Sequence, residues 1–295
     1  MKQVLSPKEL ATAIGVSQSS IKRWADEGLI RAIRTAGGHR RIPLPEAIRF
    51  VRESEVELLQ PQILGMPEVK GASSRALDLT TAAEELYGYL DSGAEAEFRG
   101  LLFSLYLAGY RVAEIGDGPI REAMARVGLQ WHHGDLGIFT EHRATQMCME
   151  AIHQLRNLFP DTSDAPLALG GAPAGDPYLL PSLLVSTALL AEGYRTINLG
   201  PNTPLRILKL AAEEHRPVLV WLSVTTVRSE DVLASEVRQL VERFGEQGIA
   251  MAVGGRAMTR LGLRSHSGLC CGRSLAELTA FAQGLVLDPS PRDRD

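Results

Sequence analysis

Two groups of side chains in this chain have the types and spacing to do chemistry. The first is cationic. Lys22 and Arg23 stand together, and Arg31, Arg34, His39, Arg40 and Arg41 crowd the stretch that follows. Ammonium and guanidinium groups at this density neutralise phosphates and release their counterions. Gly37 and Gly38 sit among them and let a backbone approach a ligand closely. The second group is Trp131-His132-His133-Gly134, followed by Glu141-His142. A Trp offers a flat apolar wall, and a Glu–His pair can hydrogen-bond a polar ligand group. As neighbours on a helix, Glu141 and His142 point about 100° apart. The bland alternatives are a solvated basic face and a buried Trp with surface histidines. His153, His215 and His266 have no evident partner and read as structural.

The elements around the first group predict how it is presented. Ser6-Pro7-Lys8-Glu9 is a helix start, with a Ser cap, Pro in the first helical position and Glu three residues after the cap. Leu10, Ala11 and Ile14 then line one face, and Gly15-Val16-Ser17 breaks the helix and caps the next. That second helix covers residues 18–27, with Ile21 and Trp24 inward, Lys22 and Arg23 outward, and Gly28 at its end. Strands are expected over 29–34 and 39–42 around a tight turn at Ala36-Gly37-Gly38, and a third helix over 45–59. This is a winged helix-turn-helix. Its second helix fits the major groove of double-stranded DNA and its wing reaches the flanking backbone. Gly65-Met66-Pro67 and Gly71-Ala72-Ser73-Ser74 read as a linker.

Residues 76–160 read as a four-helix bundle. Gly93 and Gly116-Asp117-Gly118-Pro119 separate helices, and a last long helix covers 135–159. From residue 164 to 287 short apolar strands alternate with helices. The strands fall at 166–170, 195–199, 218–223, 249–253 and near Leu269, which predicts a flavodoxin-like, doubly wound parallel sheet. The fold class is thus multidomain α and α/β, with domains at 1–70, 76–160 and 164–287.

The formal net charge of −4 conceals an asymmetry. Residues 1–52 carry ten Lys/Arg against four Asp/Glu, a net of +6, and the remainder 21 against 31, a net of −10. A basic module on an acidic body suits a phosphate-bearing partner. Cys148, Cys270 and Cys271 make neither a disulfide framework nor a zinc pattern, which points to the reducing cytoplasm. The chain opens on no signal peptide and contains no apolar run long enough to span a membrane.

Thr35-Ala36-Gly37-Gly38-His39-Arg40-Arg41, with Trp24 and Gly28-Leu29-Ile30, resembles the wing and helix end of MerR-type and excisionase-like DNA-binding domains. Residues 1–285 as a whole resemble the cobalamin-dependent, light-sensing MerR-type repressors of carotenoid synthesis. The resemblance implies DNA contact by Lys22, Arg23, Arg34, Gly37, Gly38, His39, Arg40 and Arg41. It implies that Trp131, Glu141 and His142, in a Trp-x9-Glu-His motif, cover the upper face of adenosylcobalamin, with His132 able to ligate the cobalt once the upper bond is broken. It further implies that Asp176, Ser223, Thr225, Gly254 and Gly255 surround the lower, nucleotide-bearing side. The loop Asn198-Leu199-Gly200-Pro201-Asn202-Thr203-Pro204 matches as well.

One departure stands out. Where the family has Asp-x-His-x-x-Gly, whose His is the lower cobalt ligand, this chain has Asp176-Pro177-Tyr178-Leu179-Leu180-Pro181. A phenol with a pKa of about 10 is a poor cobalt donor beside a neutral imidazole. That leaves open a cobalamin with another lower ligand or with its own base on, a different ligand, or none. The implied function is a DNA-binding repressor, not an enzyme, whose C-terminal half controls oligomerisation to a dimer or tetramer on an operator. The alternatives are a cobalamin-independent regulator whose α/β half serves assembly, and a corrinoid-dependent methyltransferase subunit. The latter needs the missing His and has no use for a DNA module.

Overall fold

In a computed structural model the described residues are 3–54, 56–69, 78–130, 134–160 and 163–287. Trp131, His132 and His133 lie outside them, as do residues 70–77 and the tail beyond residue 287. The chain divides into two compact units, Met1–Pro160 and Asp161–Asp295.

In the first unit, α1 (Pro7–Ala13) begins at the expected capping box. The Ser6 hydroxyl accepts from the Glu9 amide, and Glu9 returns to the Ser6 amide at 2.8 Å. The Ser17 side chain caps α2 (Gln18–Asp26) in the same way. Leu10, Ala11, Ile14 and Ile21 are buried, and Trp24 packs on Phe50 with ring centroids 5.2 Å apart. The wing is smaller than expected and joined by an unanticipated strand. β2 is only Ile33–Arg34, because Leu29 and Ile30 turn back to bond the Trp24 carbonyl. β3 (Arg40–Pro43) pairs antiparallel with β2 on one side and with β1 (Val4–Leu5) on the other. The third helix, α3 (Leu44–Glu53), is shorter than the expected 45–59. Of the expected linker, Gly65-Met66-Pro67 belongs to a packed stretch, since Leu58, Leu64, Met66 and Val69 are buried along it, and residues 71–74 lie outside the described residues.

The bundle consists of α4 (Leu79–Ser92), α5 (Glu95–Leu107), α6 (Val112–Ile115), α7 (Arg121–Leu129) and α8 (Asp135–Arg156). Gly93 ends α4 in the left-handed region. Gly116–Ile120, expected to separate helices, does not. It is a π-helical turn carrying α6 into α7, with Pro119 inside it. Two glycines relax the backbone there, and the wider turn tolerates the missing proline N–H. Complete burial pushes the Cys148 thiol on α8 up to about 12, so it is chemically inert.

The winged helix-turn-helix segment is fastened to the bundle. Arg52, from α3, donates to the carbonyls of Tyr106, Gly109 and Tyr110 at the end of α5, and its guanidinium lies 3.8 Å from the centre of the Tyr106 ring. It therefore serves as the C-terminal cap of another helix. Nearby, Glu68 pairs with Arg99. A Cβ added at Gly100 would lie 2.4 Å from the Glu68 carbonyl oxygen, so the chain rests directly on α5 there.

The second unit is an all-parallel sheet in the order β5-β4-β6-β7-β8, formed by β4 (Leu167–Gly171), β5 (Arg195–Asn198), β6 (Leu219–Ser223), β7 (Ala250–Gly254) and β8 (Leu269–Gly272). The order is that expected of a flavodoxin-like sheet. One face packs Leu169, Val220, Leu222, Met251 and Val253 against α10 (Leu205–His215) and α11 (Glu230–Glu246). The other carries Ala168, Leu219, Trp221, Ala250 and Ala252 under α9 (Leu179–Ala191) and α12 (Leu275–Leu287). Among the described residues no helix is long and apolar enough to cross a membrane.

Arg52→Met keeps the aliphatic stem and strands the α5 carbonyls. Urea unfolding of the full chain followed by circular dichroism should show a loss of about 1–3 kcal/mol, the cost of leaving such groups unsatisfied.

Candidate nucleic-acid interface and ligand site

The cationic residues converge on a groove between α2 and the wing. It encloses about 500 Å³ and is lined by Ser6, Pro7, Gln18, Lys22, Arg34, Gly38, His39, Arg40 and Arg41. Gln18 and Lys22 stand one helical turn apart, so both project into it. The hairpin tip closes through an amide of Gly38 donating to the Thr35 carbonyl at 2.8 Å, with Gly38 at φ 75°. Only a residue without a Cβ adopts that φ readily. Gly37 sits at the same tip, beside the His39 ring.

Three expectations are refined by this geometry. Arg23 lies outside the groove lining, with Glu27 at 3.9 Å and two-thirds of its side chain exposed. Arg40 is half-buried and paired with Asp26 at the end of α2, so it braces the wing against the helix as well as charging the groove. Ser6, Pro7 and Gln18 join the lining without having been anticipated. The i, i+4 spacing of Gln18 and Lys22 was the available signal for Gln18.

The entry to the wing is held by α3. The buried Glu46 carboxylate accepts from the Arg31 amide at 2.7 Å and from Arg49, and Arg49 also donates to the Leu29 carbonyl at 2.8 Å. Burial pushes the Glu46 carboxyl up. The Arg49 hydrogen bond and the Arg31 amide outweigh that and hold it below the ordinary value of 4.5. A lowered carboxyl stabilises the fold above its unfolded pKa, and that stability is lost as pH falls through the folded value.

The second group divides between the two units. Glu141 and His142 are on α8, in the first. The Glu141 carboxylate accepts from the Thr145 hydroxyl at 3.0 Å and stands 3.6 Å from the exposed His142 ring. Asp176, Ser223, Thr225, Gly254 and Gly255 come together in the second unit, at the C-terminal ends of β4, β6 and β7. Ser223 and Gly254 are register partners across β6 and β7. Gly255, at φ 102°, packs so closely on the next loop that a Cβ would lie 2.5 Å from the Val224 carbonyl oxygen.

Asp176 is fully buried, and its carboxylate faces protein backbone. One oxygen accepts from the amides of Thr225 (2.5 Å) and Thr226 (3.0 Å), the other from the Tyr178 amide (3.1 Å). Its own carbonyl accepts from the Asn202 amide at 2.9 Å. Asp176 thus ties the loops after β4, β5 and β6 together. Tyr178 caps α9 with 44% of its surface exposed, and Pro181 sits in the first turn of that helix, where its missing N–H costs nothing.

The layer between α9 and the sheet is filled. Trp221, 1% exposed, lies across Gly170 of β4, where an added Cβ would meet its carbonyl oxygen at 2.2 Å and its ring at 2.3 Å. Its indole N–H donates to the Ser182 hydroxyl at 3.2 Å, and that hydroxyl donates to the Asn198 side-chain oxygen at 2.9 Å. No buried polar side-chain atom among the described residues of this unit lacks a partner. These residues do not fit a corrinoid ligated from below by the protein, or one with its base buried under α9. Among the described residues no cluster of three or more His, Cys, Asp or Glu is placed to hold a metal ion.

The sequence profile described as MerR family regulatory protein matches residues 6–42. The profile described as B12 binding domain matches residues 82–156, within the bundle. Both profile matches fall within the first unit, one on its N-terminal segment and one on its bundle. It is 23% identical over 264 residues to the HTH-type transcriptional repressor CarA of Myxococcus xanthus, covering 88% of this chain and 87% of the relative. Among solved structures, the Methanosarcina barkeri monomethylamine corrinoid protein superposes with a TM-score of 0.51 at 19% identity, covering 70% of this chain and all of that one. This likeness extends to the fold alone. The MerR-profile match takes in α1, α2 and the wing that line the groove, and the B12-binding-domain match takes in Glu141 and His142.

Two measurements probe the groove. Arg41→Ala should lower the slope of log affinity against log salt by about one phosphate contact. Arg40→Ala should weaken DNA binding more than Arg41→Ala, because it also leaves the Asp26 carboxylate uncompensated beside the phosphates, and adding Asp26→Asn should restore part of the loss. For the wing anchor, Glu46→Gln should lower the thermal midpoint at pH 7. The deficit should close as pH falls below 4.5 and through the depressed folded value.

Proposed function

We propose that this chain is a transcriptional repressor that reads a two-fold or repeated operator through paired MerR modules and answers to a corrinoid effector through its C-terminal half. The observation carrying the first part is the groove itself. It places a Gln and a Lys on the exposed face of α2 beside the arginines of a wing. In such a groove Gln18 and Lys22 face base edges in the major groove, while Arg34, Arg40 and Arg41 hold the flanking phosphates. Paired modules place two such helices about one turn of DNA apart, so self-association as a dimer or tetramer belongs to the reading.

The corrinoid part rests on the B12-binding match over 82–156 and on Glu141 and His142 within it. The exposed His142 and the Thr145-oriented Glu141 carboxylate offer one donor and one acceptor to the polar rim of a ligand. Adenosylcobalamin is the form the resemblance implies, and a cytoplasmic location follows from a DNA target. A regulator is favoured over a methyltransferase subunit because a DNA groove accompanies a position 178 that carries no imidazole.

The experiment is selection of bound duplexes from a random pool by the purified full chain, followed by fluorescence anisotropy on the enriched sequence with and without adenosylcobalamin. An enriched site with repeated or inverted halves is expected. Gln18→Ala should cost about 1–3 kcal/mol there and less on random DNA. Failure to enrich any sequence would overturn the operator reading. Unchanged affinity and unchanged oligomeric state on adding the corrinoid would overturn the effector reading.

A further inference from the structure

We propose that the α/β unit of this chain does not fit a corrinoid in a base-off, protein-ligated form, because its interior supplies neither a lower donor nor room for a base. The inference rests on the corrinoid reading above and specifies its binding mode.

The first argument is spatial. The layer under α9 is occupied by an indole, a fused bicyclic aromatic of nearly the same footprint as a benzimidazole. The surrounding positions are small to admit it: Ala168 and Gly170 on β4, Ala250 and Ala252 on β7. In a close-packed interior, two bicyclic rings cannot share that space. The polar groups there are already satisfied. Ser182 takes the indole N–H and donates to Asn198, whose side-chain oxygen also accepts from the Gly200 amide at 3.0 Å. An entering base would have to break this chain and expel Trp221.

The second argument concerns donors. The second unit contains two histidines, His215 and His266. His215 is the last residue of α10, on the way to the start of β6, and His266 precedes β8. In a parallel sheet both positions lie at the amino-terminal edge of the strands, opposite the loops that Asp176 gathers. The Asp176 carboxylate is enclosed by backbone amides. Burial pushes the thiols of Cys270 and Cys271 up, away from the thiolate that binds a metal. Tyr178 presents a phenol. At the strand-end edge, the described residues offer no good nitrogen or sulfur donor for cobalt.

The test uses the intact full chain and nuclear spin. Protein grown on nitrogen-15 is mixed anaerobically with unlabelled cob(II)alamin, and the electron paramagnetic resonance of the bound form is recorded. Retention of the three-line splitting of an unlabelled nitrogen is expected, since the axial donor then belongs to the corrinoid. A two-line splitting would show a protein nitrogen on cobalt and overturn the proposal. Adenosylcobinamide, which lacks the base, provides the second arm. It should keep its base-free absorption spectrum on binding, and conversion to a nitrogen-ligated spectrum would overturn the proposal. If equilibrium dialysis shows that neither corrinoid binds, the effector reading itself fails and this inference with it, an outcome distinct from either spectral result.

Discussion

At the strand-end edge of the α/β unit, three loops from different strands depend on one buried residue, Asp176. Each of these loops presents at least one backbone amide to that residue, and an N–H left unsatisfied is costly. Asp176 removes that cost at three positions by accepting from Tyr178, Thr225 and Thr226, while its carbonyl holds Asn202. Tyr178, which opens α9, is set by this arrangement, and α9 in turn lies over Trp221 through Ser182.

The DNA-binding side follows a related rule with exposed charges. Its groove is built from groups partly committed to each other. Arg40 to Asp26, Arg49 to Glu46 and Glu53, and Glu46 to the Arg31 amide fix the wing relative to α2 before any phosphate arrives. A surface ion pair contributes little to stability by itself. Here the pairs order the groove, so less side-chain freedom is lost on binding.

What was legible in the sequence was local or periodic. The caps at Ser6 and Ser17, the wing turn at Gly38 and the five strands could be read because their signals lie within a few residues. A two-residue strand such as Val4–Leu5 has no period to detect, and only its pairing with Ile42 and Pro43 reveals it. Gly116-Asp117-Gly118-Pro119 reads as punctuation because glycine and proline break α-helices, yet a π turn accommodates them. Gly65-Met66-Pro67 reads as a linker by composition, while Met66 and the nearby Leu64 and Val69 are buried. At the candidate sites, the pairing of Arg40 with Asp26 and the seating of Trp221 over Gly170 are contacts between distant segments. Trp221 lies in an ordinary apolar strand run, and its significance emerges only when the register sets it beside glycine.

Arg52 has a consequence for how a signal could be expressed. A recognition module clamped to its neighbouring bundle by a cation that caps a foreign helix has lost the cheap option of swinging on a tether. On the function proposed above, an effector would then act through the number of copies that gather on the operator, and occupancy would follow mass action. Control of that kind gives a response that steepens with assembly size and depends on how much of the chain the cell makes, so doubling the gene dose would change the set point of the circuit as surely as changing the effector.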